Sequence, residues 1–257
     1  MSRILQSKMV RRLLVYPTLV FLAGYAWFQY KFPTCSFRYR LTAEVMTPDG
    51  PKSGSNVIEV SYSHNADWGG GQSADLNMTG EAVHVDLGQG KNLFVSLTAD
   101  YSVRRKGFLG RSDFNTFQGA LDGFELPLRV FDLDWIYGEE RALCAAVRQI
   151  PEGQSYAASH MNLPTLLTFS DLSNPDSVAI VEPDEFERFF GTGVKLQRVQ
   201  LALTQEAPTQ TGMSVFPWWS EKVEDRKRAG FTGVGQALII NLLDSAFRRP
   251  GIFDNNQ

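Results

Sequence analysis

The sequence predicts an α+β protein: an N-terminal transmembrane helix, then a mainly antiparallel, β-rich domain with interspersed helices. Three observations lead there. One apolar stretch near the start carries no charge. Beyond it, apolar and polar residues alternate with period two in several short runs. Later runs switch to helical spacing without the regular strand–helix alternation of a parallel sheet.

The apolar stretch is Leu13 to Phe28, LLVYPTLVFLAGYAWF. Sixteen helical residues reach roughly 24 Å, and adding Gln29 and Tyr30 gives about 27 Å against a hydrocarbon core of about 30 Å. Trp27 and Tyr30 suit the interfacial belt, and Pro17 falls near the first turn, where a missing N–H costs least. Arg3, Lys8, Arg11 and Arg12 precede the stretch and place the N-terminus in the cytoplasm by the positive-inside rule. Lys31, Arg38 and Arg40 on the other flank weaken that bias. A secretory signal cut after Gly24-Tyr25-Ala26 is the competing reading, with bulky Trp27 and Phe28 then heading the mature chain. A transit peptide fits less well, because the run is too continuously apolar, and no lipobox precedes Cys35. These features divide the chain into a basic cytoplasmic N-terminus (1–12), an anchor or uncleaved signal (13–30), a β-rich body (31–215) and a charged, amphipathic C-terminal segment (216–257). Localisation follows: an inner membrane, single-pass, with a periplasmic body.

Charge is distributed unevenly along the 257 residues. Of 25 basic residues seven precede Glu44, leaving 18 against 28 acidic, about −10 on the remainder. An acidic body repels phosphates, so nucleic acid is excluded as a partner. The expected partners are the membrane itself and an envelope protein. Cys35 and Cys144 are the only cysteines, too few for a structural zinc site. In an oxidising compartment they can form one disulfide; otherwise Cys144 is a buried free thiol on a helix and Cys35 incidental.

Along the body, Phe37, Tyr39, Leu41, Ala43 and Val45 alternate with polar residues in a first strand, stopped by the turn Pro48-Asp49-Gly50-Pro51. Ile58, Val60 and Tyr62 mark a second strand. Val83, Val85 and Leu87, then Gly88-Gln89-Gly90, then Leu93, Val95 and Leu97 make residues 81–98 a hairpin. Ser63 to Gly80 between them, rich in Gly, Asn, Asp and Ser, reads as a loop. Residues 138–150 change period: Leu143, Val147 and Ile150 form a core-facing stripe, with Glu139 and Glu140 in the first turn and Pro151 at the close. Leu166 to Phe169 reads as a buried strand, Pro183 to Phe190 as a brief helix stopped by Gly191 or Gly193, and Val199 to Leu203 as a last strand. Glu221 to Arg228 is a balanced, solvated run, and Val234 to Phe247 an amphipathic helix too short to span a bilayer.

No catalytic, metal or cofactor-binding residue is assigned. The one metal constellation worth naming is His64 and Asp67 with His84 and Asp86, two imidazoles and two carboxylates able to bind a divalent ion if the loop meets the strand. It supports a metal-dependent hydrolase only as an alternative. His160 has no nominated nucleophile, and Gly230 to Gly235 lacks the strand before it and the Lys-Ser/Thr after it that a phosphate loop needs. Phe216-Pro217-Trp218-Trp219 and Trp68 offer aromatic surface for a sugar ring, a carbohydrate- or peptidoglycan-binding alternative, or else serve as core. The leading expectation is a non-enzymatic, membrane-tethered envelope protein acting through protein or envelope contacts.

The run Leu166 to Val178, continuing to Glu182-Pro183, and the hairpin from Gly80 to Leu97 resemble stretches of uncharacterised single-pass bacterial membrane proteins. The likeness covers the middle of the body. It implies a bacterial inner-membrane setting and no particular chemistry.

Overall fold

A computed structural model describes residues 8–31, 33–64, 74–97, 124, 126–136, 138–159, 162–174, 177–209 and 215–218. The chain begins with helix α1 (Lys8–Lys31). Strands β1 (Cys35–Thr47), β2 (Gly50–His64) and β3 (Ala74–Thr79) follow, then β4 (Val83–Gly88) and β5 (Lys91–Val95). Helix α2 (Glu140–Val147), β6 (Ser155–Ala157), β7 (Leu166–Phe169), β8 (Val178–Ile180), helix α3 (Phe186–Phe190) and β9 (Lys195–Leu203) complete the described elements. A short helical stretch also covers 126–130. The strands form two sheets, β3-β2-β1-β9-β6 and β4-β5-β7-β8, antiparallel at every pairing. The α+β architecture with antiparallel sheets is as the alternation predicts.

The longest hairpin organises the molecule. Pro48 and Asp49 turn the chain, and β1 pairs with β2 without a slip from Thr47↔Gly50 to Cys35↔Tyr62. Odd-numbered residues of β1 from Cys35 to Val45 face inward with the even-numbered Ile58, Val60 and Tyr62 of β2, because cross-strand partners share a face. Val199, Leu201 and Leu203 of β9 continue that face. The main core closes when Val83, Val85 and Leu87 of β4, Leu93 and Val95 of β5 and Leu166 of β7 pack onto it. Close contact between the sheets needs Gly54: a Cβ there would lie 2.1 Å from the His84 carbonyl oxygen. Asn56 reinforces the approach, its amide donating to the carbonyl of Ala82 at 2.6 Å.

The central strands β5 and β7 of the four-stranded sheet are buried on both faces. The sheet's outer face carries Ala82, Phe94, Leu167, Phe169 and Val178, covered by Phe216 and Trp218. Burial on two sides is why Leu166 to Phe169 reads as continuously apolar rather than alternating. The packing of the body therefore runs on to Trp218, three residues past its expected end at 215. The β4–β5 turn places Gln89 and Gly90 at φ of 55° and 75°, the left-handed pair that a two-residue hairpin favours.

One expectation changes, and another is met only in part. The stretch from Ser63 to Gly80 is not all loop: Ala74–Thr79 pairs along β2 from His64 to Glu59. Leu76 and Met78 pack against the core on one side of that strand, and Asp75 and Asn77 make its sequence look loop-like. The helix expected over 13–30 is present and longer, at 24 residues. However, among the described residues no helix is long and apolar enough to cross a membrane. Tyr16, Pro17, Thr18, Gly24 and Tyr25 interrupt the apolar run of α1. The C-terminal segment beyond Trp218, including the helix expected from Val234 to Phe247, lies outside the described residues.

Candidate functional site

Helix α2 lies at the end of the body where α1 delivers the chain. Glu140, Leu143 and Val147 are buried on one face of it, at i, i+3 and i+7. Glu140 thus points a carboxylate into the interior at 0% exposure, where an unpartnered charge is costly. The partner is His64, the last residue of β2: Nδ1 lies 2.9 Å from Glu140 Oε2, with the imidazole at 11% exposure. The other oxygen, Oε1, accepts from the Gly138 N–H at 3.3 Å. An Nδ1–H donated to a carboxylate fixes the ring's orientation and tautomer.

One residue on, Arg141 lies over the Tyr30 ring, 4.0 Å from its centroid, and donates to the Tyr30 carbonyl. This joins α2 to the last turn of α1. Cys144 is bonded to Cys35, the first residue of β1, with Cα atoms 5.4 Å apart. Cys35 faces Tyr62 in the strand register, so the bridge and the His64–Glu140 pair are neighbours. Of the two readings of the cysteines, the structure takes the disulfide.

Around this junction lies a layer of aromatic side chains. Tyr62 stacks on Phe37 with centroids 5.8 Å apart, meets Trp135 at 5.3 Å, and donates its hydroxyl to the Phe124 carbonyl at 2.6 Å. Two buried polar atoms have no hydrogen-bond partner among the described residues, Tyr39 Oη and Trp135 Nε1. Burial pushes the Tyr39 phenol well above its ordinary range, so it stays protonated.

The structure does not bring the two imidazoles of the metal constellation together. His64 is paired with Glu140, whereas His84 sits in the other sheet, its Nε2 2.8 Å from Asn92 Oδ1 and its ring stacked 4.7 Å from that of Phe94. The His84 backbone packs at Gly54, ten residues from His64 along β2, roughly 30 Å of extended strand. Asp86 is occupied in its own turn, accepting from the Gly88 N–H at 2.8 Å. Asp67 lies outside the described residues, as do Trp68, His160, Trp219 and Gly230 to Gly235. Among the described residues no group of three His, Cys, Asp or Glu is placed to hold a metal ion. Trp218 is a core residue at 9% exposure, packed with Phe216 and Phe169, and its Nε1–H donates to the Leu172 carbonyl at 2.9 Å. Its ring is not an open sugar platform.

Sequence reasoning missed Glu140, although a signal was present. The spacing that marks Leu143 and Val147 as core-facing includes Glu140, and a carboxylate on a core stripe calls for a partner. Nothing in the sequence announces the Arg141–Tyr30 contact.

No protein-family model, curated protein or solved structure matches this chain.

Proposed function

We propose that this protein is a membrane-tethered envelope protein: α1 embeds in the bilayer, and the body works on the oxidising side through contacts with protein or envelope partners. One observation carries the reading. Of the large hydrophobic side chains exposed among the described residues, all but Met46 and Ile136 belong to α1, with Val20 at 72% and Phe21 at 71%. Among the described residues, the body buries nearly all its large apolar side chains, whereas those of α1 from Val15 to Trp27 stay exposed. Returning nine such side chains to an apolar medium is worth on the order of 10 kcal/mol. At 24 residues α1 is about 36 Å long, of which the charge-free part from Leu13 to Tyr30 supplies about 27 Å.

Two features support the orientation. Arg38 and Arg40 lie within β1, ion-paired to Glu59 and Glu206, which leaves Lys31, among the described residues, as the positive charge on that flank without an ion pair. Arg3, Lys8, Arg11 and Arg12 then give the N-terminal side a clear excess, favouring a cytoplasmic N-terminus. The Cys35–Cys144 bridge suits an oxidising compartment for the body. Three residues, Phe32-Pro33-Thr34, separate α1 from β1 and would hold the body close to the membrane surface.

Fractionation of cells expressing the full chain tests this. The intact protein is expected in the membrane pellet and to resist alkaline carbonate. Val20→Asp with Phe21→Asp, each costing about 2–3 kcal/mol in a helix centre, is expected to shift it to the supernatant. Intact wild-type chain extracted by carbonate as readily as the variant would defeat the reading.

A further inference from the structure

The bridge at the α1–body junction is asymmetric. Cys35 has 0% exposure, on the inward face of β1 beneath the aromatic layer of Phe37 and Tyr62. Cys144 is only partly buried, on a helix whose neighbouring Arg141, Ala142 and Ala145 are exposed. Thiol–disulfide exchange needs a thiolate to approach one sulfur from outside, so access decides which sulfur is attacked. Cations near that sulfur favour the incoming anion. Arg141 and Arg148, three residues before and four after Cys144, lie on its side of the helix. The nearby carboxylate of Glu140 is turned inward onto His64.

We propose that Cys144 Sγ is a site of thiol–disulfide exchange with a dithiol partner, and that Cys35 is the leaving thiol. A thiolate of the partner attacks Cys144 Sγ, forming a mixed disulfide as the Cys35–Cys144 bond breaks. The electron pair passes to Cys35 Sγ, which takes up a proton. The partner's second thiolate then attacks the partner's first sulfur in the mixed disulfide, closing the partner's disulfide, and Cys144 Sγ leaves as a thiolate that takes up a proton. Two electrons move from the partner dithiol, which becomes a disulfide, to the protein bridge, which becomes two thiols.

Opening the bridge has a defined local consequence. It removes the covalent tie between α2 and the start of β1, leaving the His64–Glu140 pair, the Arg141–Tyr30 contact and the buried Leu143 and Val147 to hold the helix. The proposal requires only the bridge and its two environments, and stands whether or not α1 enters lipid.

The test uses the oxidised full-length chain in mild detergent and a thioredoxin-type dithiol protein whose resolving cysteine is replaced by serine. Peptide mass spectrometry locates the trapped mixed disulfide. The expected result is a conjugate on Cys144 exceeding that on Cys35 by about tenfold or more, as access dictates. Comparable trapping on Cys35 overturns the proposal, as does no trapping when the same reagent captures the denatured chain. Alkylation of the single variants provides a second readout. Cys144 in Cys35→Ala is expected to react at least about tenfold faster than Cys35 in Cys144→Ala, and equal rates count against the assignment.

Discussion

Replacing both cysteines by alanine is expected to lower the unfolding free energy by about 4 kcal/mol, within a range of about 3–5. The expectation rests on loop length. Cys35 and Cys144 are 109 residues apart in sequence, and a cross-link closing a loop of that size removes much chain entropy from the unfolded state. Cys35 also opens the strand that pairs with both β2 and β9, so the bridge holds the start of the central strand against α2. Urea unfolding of the full chain in mild detergent, compared with the double variant, checks the figure. A loss below about 1 kcal/mol would mean that the bridge constrains little of the unfolded chain.

The second large effect belongs to the buried His64–Glu140 hydrogen bond. Glu140→Ala is expected to destabilise the protein by about 1–3 kcal/mol, since it removes the buried carboxyl group that His64 Nδ1 meets. His64→Ala is expected to cost a similar amount, leaving Glu140, among the described residues, with the Gly138 N–H as its remaining hydrogen-bond partner. The signature is non-additivity. An apolar double replacement such as His64→Phe with Glu140→Met is expected to cost less than the two single losses together, because neither polar group is then left without the other. Denaturant unfolding of the four chains checks this. Strictly additive losses would show that the two side chains are independently placed rather than coupled.

Much of the body was legible in the sequence because its strands are half-buried. Phe37 to Val45 and Val83 to Leu87 alternate cleanly since one face of each meets the core, and Pro48-Asp49-Gly50 and Gly88-Gln89-Gly90 mark their turns. The helix carrying Leu143 and Val147 was equally plain from its stripe. β3 was less so: it lies at a sheet edge, where Asp75 and Asn77 obscure the alternation of Leu76 and Met78. Sheet order escapes sequence reading for another reason. β9 pairs with β1 across more than 150 residues, and that choice is settled by packing rather than local propensity.

The site was less legible still. His64, His84 and Asp86 drew attention as ligand types, yet strand geometry sends the two histidines to different sheets and gives each a different partner. Trp218 stood out for its neighbour Trp219, and its place beneath Leu172 depends on the chain returning to the outer face of the second sheet. Glu140 reads from sequence only as a first-turn carboxylate, a sufficient reason for it to be there. Its burial becomes visible only when His64 arrives from β2.

Membrane topology provides the most direct measurement. Intact cells, cells with the outer barrier opened, and fully lysed cells expressing the full chain are each treated with protease, and fragments are followed with tags at both termini. The expected result is digestion of the body as soon as the outer barrier is opened, with a tag ahead of Arg3 protected until lysis and the bridge oxidised in the same samples. A body that stays protected until lysis, with Cys35 and Cys144 reduced, would contradict a tethered domain on the oxidising side.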